Sequence, residues 1–110
     1  MILDEGRRGG RRVLSEEAIR QMRRHWSAGV PVVSSPRGGL PYGLGVWLDA
    51  VDGTGTGTVL SSPGIGGFVP VVDYDRRMVF VFETLDNVDR TWPGVTAILQ
   101  RAREAVDREG

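Results

Sequence analysis

The chain has 110 residues, enough for one small domain and not comfortably for two. With 40% hydrophobic and 25% charged residues it fits a folded globular chain rather than a disordered tail, and a net charge of zero supplies no overall field for nucleic acid or anionic membrane. All 14 basic residues are Arg and there is no Lys or Cys, which excludes lysine-based catalysis, disulfides, thiolate chemistry and Cys-type metal sites on this chain.

Residues 1–12 hold the block Gly6-Arg7-Arg8-Gly9-Gly10-Arg11-Arg12. It reads as a flexible, polar lead-in; it is short and has no interleaved aromatics, so a nucleic-acid contact is the weaker reading. The opening residues lack a basic-then-apolar signal pattern, so no secretion signal is visible, and no apolar run reaches membrane-spanning length. The compartment stays open, cytoplasmic if the chain is expressed as it stands.

A helix is expected next. Ser15 can accept from an orphan N–H as N-cap, and Glu16 and Glu17 follow where the helix dipole favours negative charge. Leu14, Ala18, Met22 and Trp26, with Ile19 beside them, form one stripe, and Gly29 and Pro31 end the pattern. His25, the single His, falls in the last turn and reads as a capping or surface residue. Residues 29–41 are rich in Pro and Gly and read as an irregular loop.

Tyr42–Asp49 reads as a strand with Tyr42, Leu44, Val46 and Leu48 on one face. Asp52–Thr58 is a small-residue hairpin connection; without a G-K-[ST] ending it is not a phosphate loop. Ser61-Ser62-Pro63-Gly64-Ile65-Gly66-Gly67-Phe68 then strips side chains from the backbone just ahead of an apolar run, inviting close approach by a ligand or another backbone. Pro70 cannot donate to a ladder, which places the strand Phe68–Val72 at a sheet edge. Asp73–Arg77 makes a reversal. Met78–Thr84, β-branched and aromatic on both faces, is expected to be central and covered on both sides. A last helix begins near Thr91 or Trp92 with Pro93 in its first turn, and its stripe Val95, Ile98, Leu99, Ala102 and Val106 covers one face of the sheet. The fold class is α+β: an antiparallel β meander flanked by an N-terminal and a C-terminal helix.

The order of these pieces resembles the C-terminal end of the serine β-lactamase-like hydrolases: class C β-lactamases, related esterases and D-aminopeptidases, and penicillin-binding proteins. Met1-Ile2-Leu3 to Gly6, then Gly10–Ser15 and Met22, is similar to the family's "M-L-L-x-x-G … G-x-R-V-L-S … M" segment. Tyr42–Trp47 resembles its "Y-G-L-G-W" strand, Ser62–Gly67 stands at its K-T-G or H-T-G and small-residue turn, and Val71–Asp75 resembles its "V-D-P-E" reversal. The resemblance implies that residues 1–110 are a single partial domain, the distal part of a β-lactamase-like domain.

It also implies roles. Ser62 stands at the family's Lys or His, Pro63 at its Thr and Gly64 at its Gly, and Ile65 would offer a backbone N–H to the oxyanion hole. Ser62 brings a hydroxyl where the family has a cation or imidazole, and Pro63 removes a hydroxyl and a backbone donor, so an esterase- or peptidase-like parent fits better than a β-lactamase. The nucleophile Ser and Lys of S-x-x-K and the Tyr of Y-x-N have no counterpart here. The resemblance therefore implies no catalytic residue on this chain, no cofactor or metal, a small ester, amide or lactam substrate in the parent, and a missing N-terminal part as partner. The alternative is a small non-enzymatic α+β binding module that uses its Gly-rich edge.

Overall fold

The computed structural model describes all of residues 1–110. Its elements in order are β1 (Arg7–Arg8), β2 (Arg11–Arg12), α1 (Glu16–Arg23), β3 (Trp47–Val51), β4 (Gly57–Ser61), β5 (Phe68–Asp73), β6 (Met78–Glu83) and α2 (Val88–Glu109). β1 and β2 form a small antiparallel pair, and the other strands make a four-stranded antiparallel sheet in sequence order β3-β4-β5-β6. The α+β meander with a helix at each end is the expected fold class.

Residues 1–12 carry defined structure where the sequence suggests a flexible lead-in. Gly6 accepts from the N–H groups of Val13 and Leu14 at 2.8 and 3.1 Å, closing the β1–β2 hairpin. The segment is also tied to distant parts of the chain. Tyr74 donates to the Ile2 carbonyl at 2.9 Å, Arg77 meets Asp4 at 3.2 Å and Arg23 meets Glu5 at 3.1 Å.

Helix α1 starts as its sequence dictates, with Ser15 Oγ accepting from Ala18 N–H at 3.0 Å. It stops at Arg23, short of the expected Trp26. Beyond it the chain is captured by the sheet: Arg24 bridges to Thr56, His25 N–H donates to Gly55 and Trp26 N–H to Tyr42. The Trp26 indole then donates to the Gln21 carbonyl at 2.7 Å, satisfying one of the acceptors a helix end leaves open. Trp26 is therefore a cap on the helix and not a member of its buried stripe, of which only Ile19 is fully covered. His25 lies past the helix rather than in its last turn.

β3 begins at Trp47 and not at Tyr42. Gly45 takes φ +74°, a left-handed conformation that ends extended structure, and Gly43 N–H donates to the Val46 carbonyl at 2.9 Å. The segment 42–46 folds back so that Tyr42 bridges to Trp47, their rings meeting edge-on at 4.7 Å.

The two remaining strand expectations exchange places. β5 is interior, paired with β4 on one side and with β6 along its whole length on the other. Pro70 is accommodated because its ring nitrogen faces the point where β4 leaves the ladder. Its carbonyl accepts from Ser62 N–H at 3.3 Å, and the return bond, which Pro cannot supply, falls where β4 turns away. β6, expected to be central, is the edge strand, and the side chains of Val79 and Val81 are 59% and 53% exposed.

The core lies between α2 and one face of the sheet. Val59, Val69 and Val71 meet Val88, Val95 and Leu99, with Met78, Phe80, Phe82 and Trp92 packed around them. Each such side chain contributes about 1.5–3 kcal/mol when fully buried. α2 starts at Val88, earlier than expected, because Asn87 caps it by accepting from Asp89 N–H at 2.8 Å. On the opposite face, Leu48 and Leu60 are buried at the β3–β4 end, where α1 lies against β4. The β5–β6 end of that face is bare, with Phe68 45% exposed beside Val79 and Val81.

Candidate functional site

β4 delivers Ser61 and Ser62 to the far end of the sheet, and the turn 63–67 carries the chain into β5. Over Val59–Ser61, β4 is flanked on both sides, by β3 and by β5. Past Ser61 its β3 side is open, because β3 starts at the Ser61 partner Trp47 and the chain before it folds away. The open edge that the sequence argument attached to Pro70 therefore belongs to the end of β4.

Four residues were singled out there, and the structure keeps them contiguous on this edge. Ser62 is exposed, and its N–H is used by Pro70. Pro63 and Gly64 are half-buried. Backbone groups alternate in direction along an extended strand, so Ser62 faces β5 and Pro63 faces the open side. Proline suits that position, since it leaves no unpaired donor there. Ile65 is 70% exposed, and its N–H donates to no group in the chain.

The turn holding that free N–H is fixed from three directions. Gly64 N–H donates to Phe68 at 2.7 Å and Gly67 N–H to Gly64 at 3.0 Å. The Ile65 carbonyl accepts from Val88 N–H, in the first turn of α2, at 3.0 Å. The peptide that presents the donor is held at its carbonyl, that of Gly64, by Gly67 N–H, and the next peptide along is held by a helix start. Of the three glycines in the turn, Gly67 is the one its geometry requires. It has φ +94°, and a Cβ there would lie 2.4 Å from the Asp86 carbonyl oxygen.

Beside Ser62 is a small, apolar cavity of about 90 Å³ lined by Ile2, Val46, Leu60, Ser61, Ser62, Pro70 and Val72. A shallow groove of about 430 Å³ lies across the turn, bounded by Phe68, Glu83, Thr84 and Leu85. A larger cavity of about 510 Å³ sits on the helix side of the sheet, between Leu99 and Arg103 of α2 and the loop carrying Arg37 and Leu40. Most of its charges are already matched. Arg103 pairs with Asp73 at 3.1 Å, Arg76 with Asp73 and Asp107, and Arg37 contacts Asp49. Burial, and then repulsion from Arg103, lowers the Arg37 pKa below its ordinary value. These pairs tie loop, sheet and helix together, and of the charged lining residues only Asp75 takes part in no ion pair.

Nothing near Ser62–Ile65 serves as nucleophile with base. His25 belongs to the opposite end of β4, hydrogen-bonded to Gly55, roughly 20 Å from Ser62 at strand rise. No group of His, Cys, Asp or Glu is placed to hold a metal ion. What the arrangement offers a bound molecule is one acceptor, the Pro63 carbonyl, one donor, the Ile65 N–H, and the Ser62 hydroxyl.

Two features of the site escaped sequence reasoning. The bond from Val88 to Ile65 joins residues far apart in the chain, and no local pattern announces it. Ser61, adjacent to the assigned residues, is 2% exposed with a hydroxyl that has no hydrogen-bond partner. A buried hydroxyl without a partner costs about 1–3 kcal/mol. Ser61→Ala is accordingly expected to raise stability by about 1 kcal/mol in urea unfolding; a loss of stability would show that the hydroxyl finds a partner in solution.

No protein-family model matches the sequence, and no curated protein matches it. Among solved structures, the chain is similar to a crystal structure from Bacteroides dorei DSM 17855 described as a "putative beta-lactamase". The identity is 31%, the TM-score is 0.63, and the match covers 74% of this chain and 27% of that one. The chain therefore has a beta-lactamase-like fold, corresponding to about a quarter of a hydrolase-like protein. No helix is long and apolar enough to cross a membrane.

Proposed function

We propose that the chain is the distal segment of a serine hydrolase domain of the β-lactamase, esterase and penicillin-binding-protein type, and that it furnishes one wall of the acyl-transfer site without its nucleophile. The observation that carries the reading is the Ile65 N–H: it is unpaired, lies at an open strand edge, and belongs to a peptide whose carbonyl, that of Gly64, is anchored by Gly67 N–H, with the next carbonyl anchored by Val88. An oxyanion donor needs those properties, because it stabilises developing charge only if it is oriented before the charge appears. The similarity to a hydrolase-like structure supports the same reading.

On this reading the substrate is an ester, amide or lactam lying along the end of β4. Its carbonyl oxygen accepts from Ile65 N–H, and a donor group of the substrate meets the Pro63 carbonyl. Ser62 contributes a neutral hydrogen bond where a cation would attract a carboxylate, which disfavours anionic β-lactams and favours neutral esters or peptides. The attacking serine and its base belong to residues outside this chain, and the acyl-serine intermediate forms on them.

The test has two parts. A fluorescent penicillin and a fluorophosphonate are expected to leave the 110-residue chain unlabelled; stoichiometric labelling of either kind would place a nucleophile on it. The chain is then grafted in place of its counterpart in the Bacteroides dorei protein. The chimera is expected to react with fluorophosphonate, and Ile65→Pro, which deletes the N–H, to lower that rate by about 100-fold or more. A folded chimera whose rate is indifferent to Ile65→Pro would overturn the oxyanion assignment.

A further inference from the structure

The cavity of about 510 Å³ on the helix side of the sheet has the size of a small-molecule site, for which about 300–1,000 Å³ is usual. All its walls belong to this chain. The floor is Ala50, Val59 and Val71, from β3, β4 and β5. Leu99 and Arg103 of α2 stand on one side, and Arg37, on the loop before β3, stands on the other. None of the lining residues is in β6, and the N-terminal segment lies across the sheet, with Ile2 beside Leu60 and Val72. The cavity is therefore separate from the edge and the face that the remainder of the proposed domain would cover.

Its polar groups exceed what fastening the loop requires. The ladder shifts between Leu48 and Ala50, which gives β3 an extra residue there and brings Asp49 to the cavity beside Ala50. Both Asp49 carboxylate oxygens are buried, and its one ion pair is with Arg37. A buried pair adds little net stability, because desolvation offsets the attraction. Arg103 meets Asp73 through Nε alone, and its two terminal nitrogens have no partner. Arg37 meets only Asp49 and the Trp92 ring, whose centroid is 4.6 Å from the guanidinium carbon. Two guanidinium groups thus line one cavity with donors to spare. Burial, and then repulsion from Arg103, disfavours the charge on Arg37, and an anion held between the two offsets both effects.

We propose that this cavity binds a small organic carboxylate with an apolar body, its carboxylate taken between Arg37 and Arg103 and its body laid on Val59, Val71 and Leu99. The planar guanidinium fork matches a carboxylate, and such charge-assisted bonds are stronger than neutral ones. Asp49 and Asp75 on the same lining repel a dianion more than a monoanion, which selects a carboxylate over a phosphate. The apolar floor selects an aliphatic or aromatic body over a bare anion. The site goes beyond the hydrolase reading and does not rest on it, since it shares no residue with Ser62–Ile65.

The test is a titration of the isotope-labelled full chain with phenylacetate, followed through its amide chemical shifts. The expected result is saturation with a Kd of about 1 mM or tighter, with the shifts centred on Arg37, Asp49, Ala50, Leu99 and Arg103. Phenylethanol lacks the charge, phenylethylamine reverses it, and inorganic phosphate lacks the body. Each is expected to bind about tenfold or more weakly than phenylacetate. Arg37→Met removes one guanidinium, and Ala50→Phe fills the cavity from an exposed position of β3. Each is expected to weaken phenylacetate about tenfold or more with an unchanged circular dichroism spectrum. Should one variant unfold, the other carries the test, and the three control compounds read the native chain without any substitution. Shifts that stay linear up to about 20 mM, or that saturate on residues outside the cavity, overturn the proposal. So does a control compound that binds as tightly as phenylacetate, or a folded variant that binds it undiminished.

Discussion

Replacing Gly67 by alanine is expected to cost the fold about 3 kcal/mol or more. Two penalties combine. Gly67 sits at φ +94°, a conformation that an L-residue adopts only under strain. A Cβ built there would also lie 2.3 Å from Thr84 Cγ2, 2.4 Å from the Asp86 carbonyl oxygen and 3.1 Å from the Thr84 carbonyl oxygen. The Thr84 methyl can rotate, but two of the three atoms are backbone. Relief therefore requires moving the link between β6 and α2, which also carries the Asn87 cap. Since a domain of this size has only about 5–15 kcal/mol of total stability, the loss is a large share of it. Gly66, one residue earlier, is the control: a Cβ there meets nothing within 4 Å, so Gly66→Ala is expected to stay within about 1 kcal/mol of the native chain in urea unfolding. Equal effects at the two positions would mean that the turn relaxes and does not hold Ile65 rigidly. The consequence for the site follows from the same contacts, because Gly67 N–H fastens the peptide that presents the Ile65 donor and the Val88–Ile65 bond fastens the next one.

The contrast between those two glycines marks how far the sequence could be read. A run of small residues leading into a strand was visible, and so was its likeness to a hydrolase motif. The residue that must be glycine was not, because φ at Gly67 is set by the packing of a segment nearly twenty residues downstream. Pro70 teaches the same lesson for strands. Its missing N–H was sound evidence that one ladder bond is absent, but one absent bond does not make an edge strand. The bond is lost at the end of β4, and β5 stays interior. β6 failed in the reverse sense. Val79 and Val81 read as a strand covered on both faces, yet the chain supplies a cover for one face only. Local signals did better where the cause is local. Ser15 capped α1 as expected, and the Asp52 turn closed as a hairpin, its carboxylate accepting from Thr54 and Thr56 N–H at 2.8 and 3.1 Å. Helix ends set by distant partners, as at Trp26, could not be read from spacing.

Truncating Asp73 is expected to be as damaging as altering Gly67, for an electrostatic reason. Asp73 closes β5 and is completely buried, the one carboxylate with no exposed surface. Its Oδ1 accepts from the Arg76 backbone N–H at 3.1 Å, and its Oδ2 from the guanidinium groups of Arg76 at 3.3 Å and Arg103 at 3.1 Å. Arg76 reaches on to Asp107 through two bonds of 2.9 and 3.0 Å, so the network runs from the β5–β6 turn to the last turns of α2. The buried pair as a whole gives little net stability, because desolvating the charges offsets their attraction. Removing one member is different, since the other stays where it was desolvated. Asp73→Ala is therefore expected to cost about 3 kcal/mol, the low end for a buried pair because both arginines keep some contact with water. Asp73→Asn keeps an acceptor for the Arg76 N–H and loses the charge, and is expected to cost about half as much. The coupling is read in a double-mutant cycle: once Arg103 is changed to Met, Asp73→Ala is expected to cost less by about 1 kcal/mol or more. Additive losses at Asp73 and Arg103 would mean that the carboxylate acts only by holding the turn through Arg76 N–H, and that α2 is secured to the sheet by its apolar face alone.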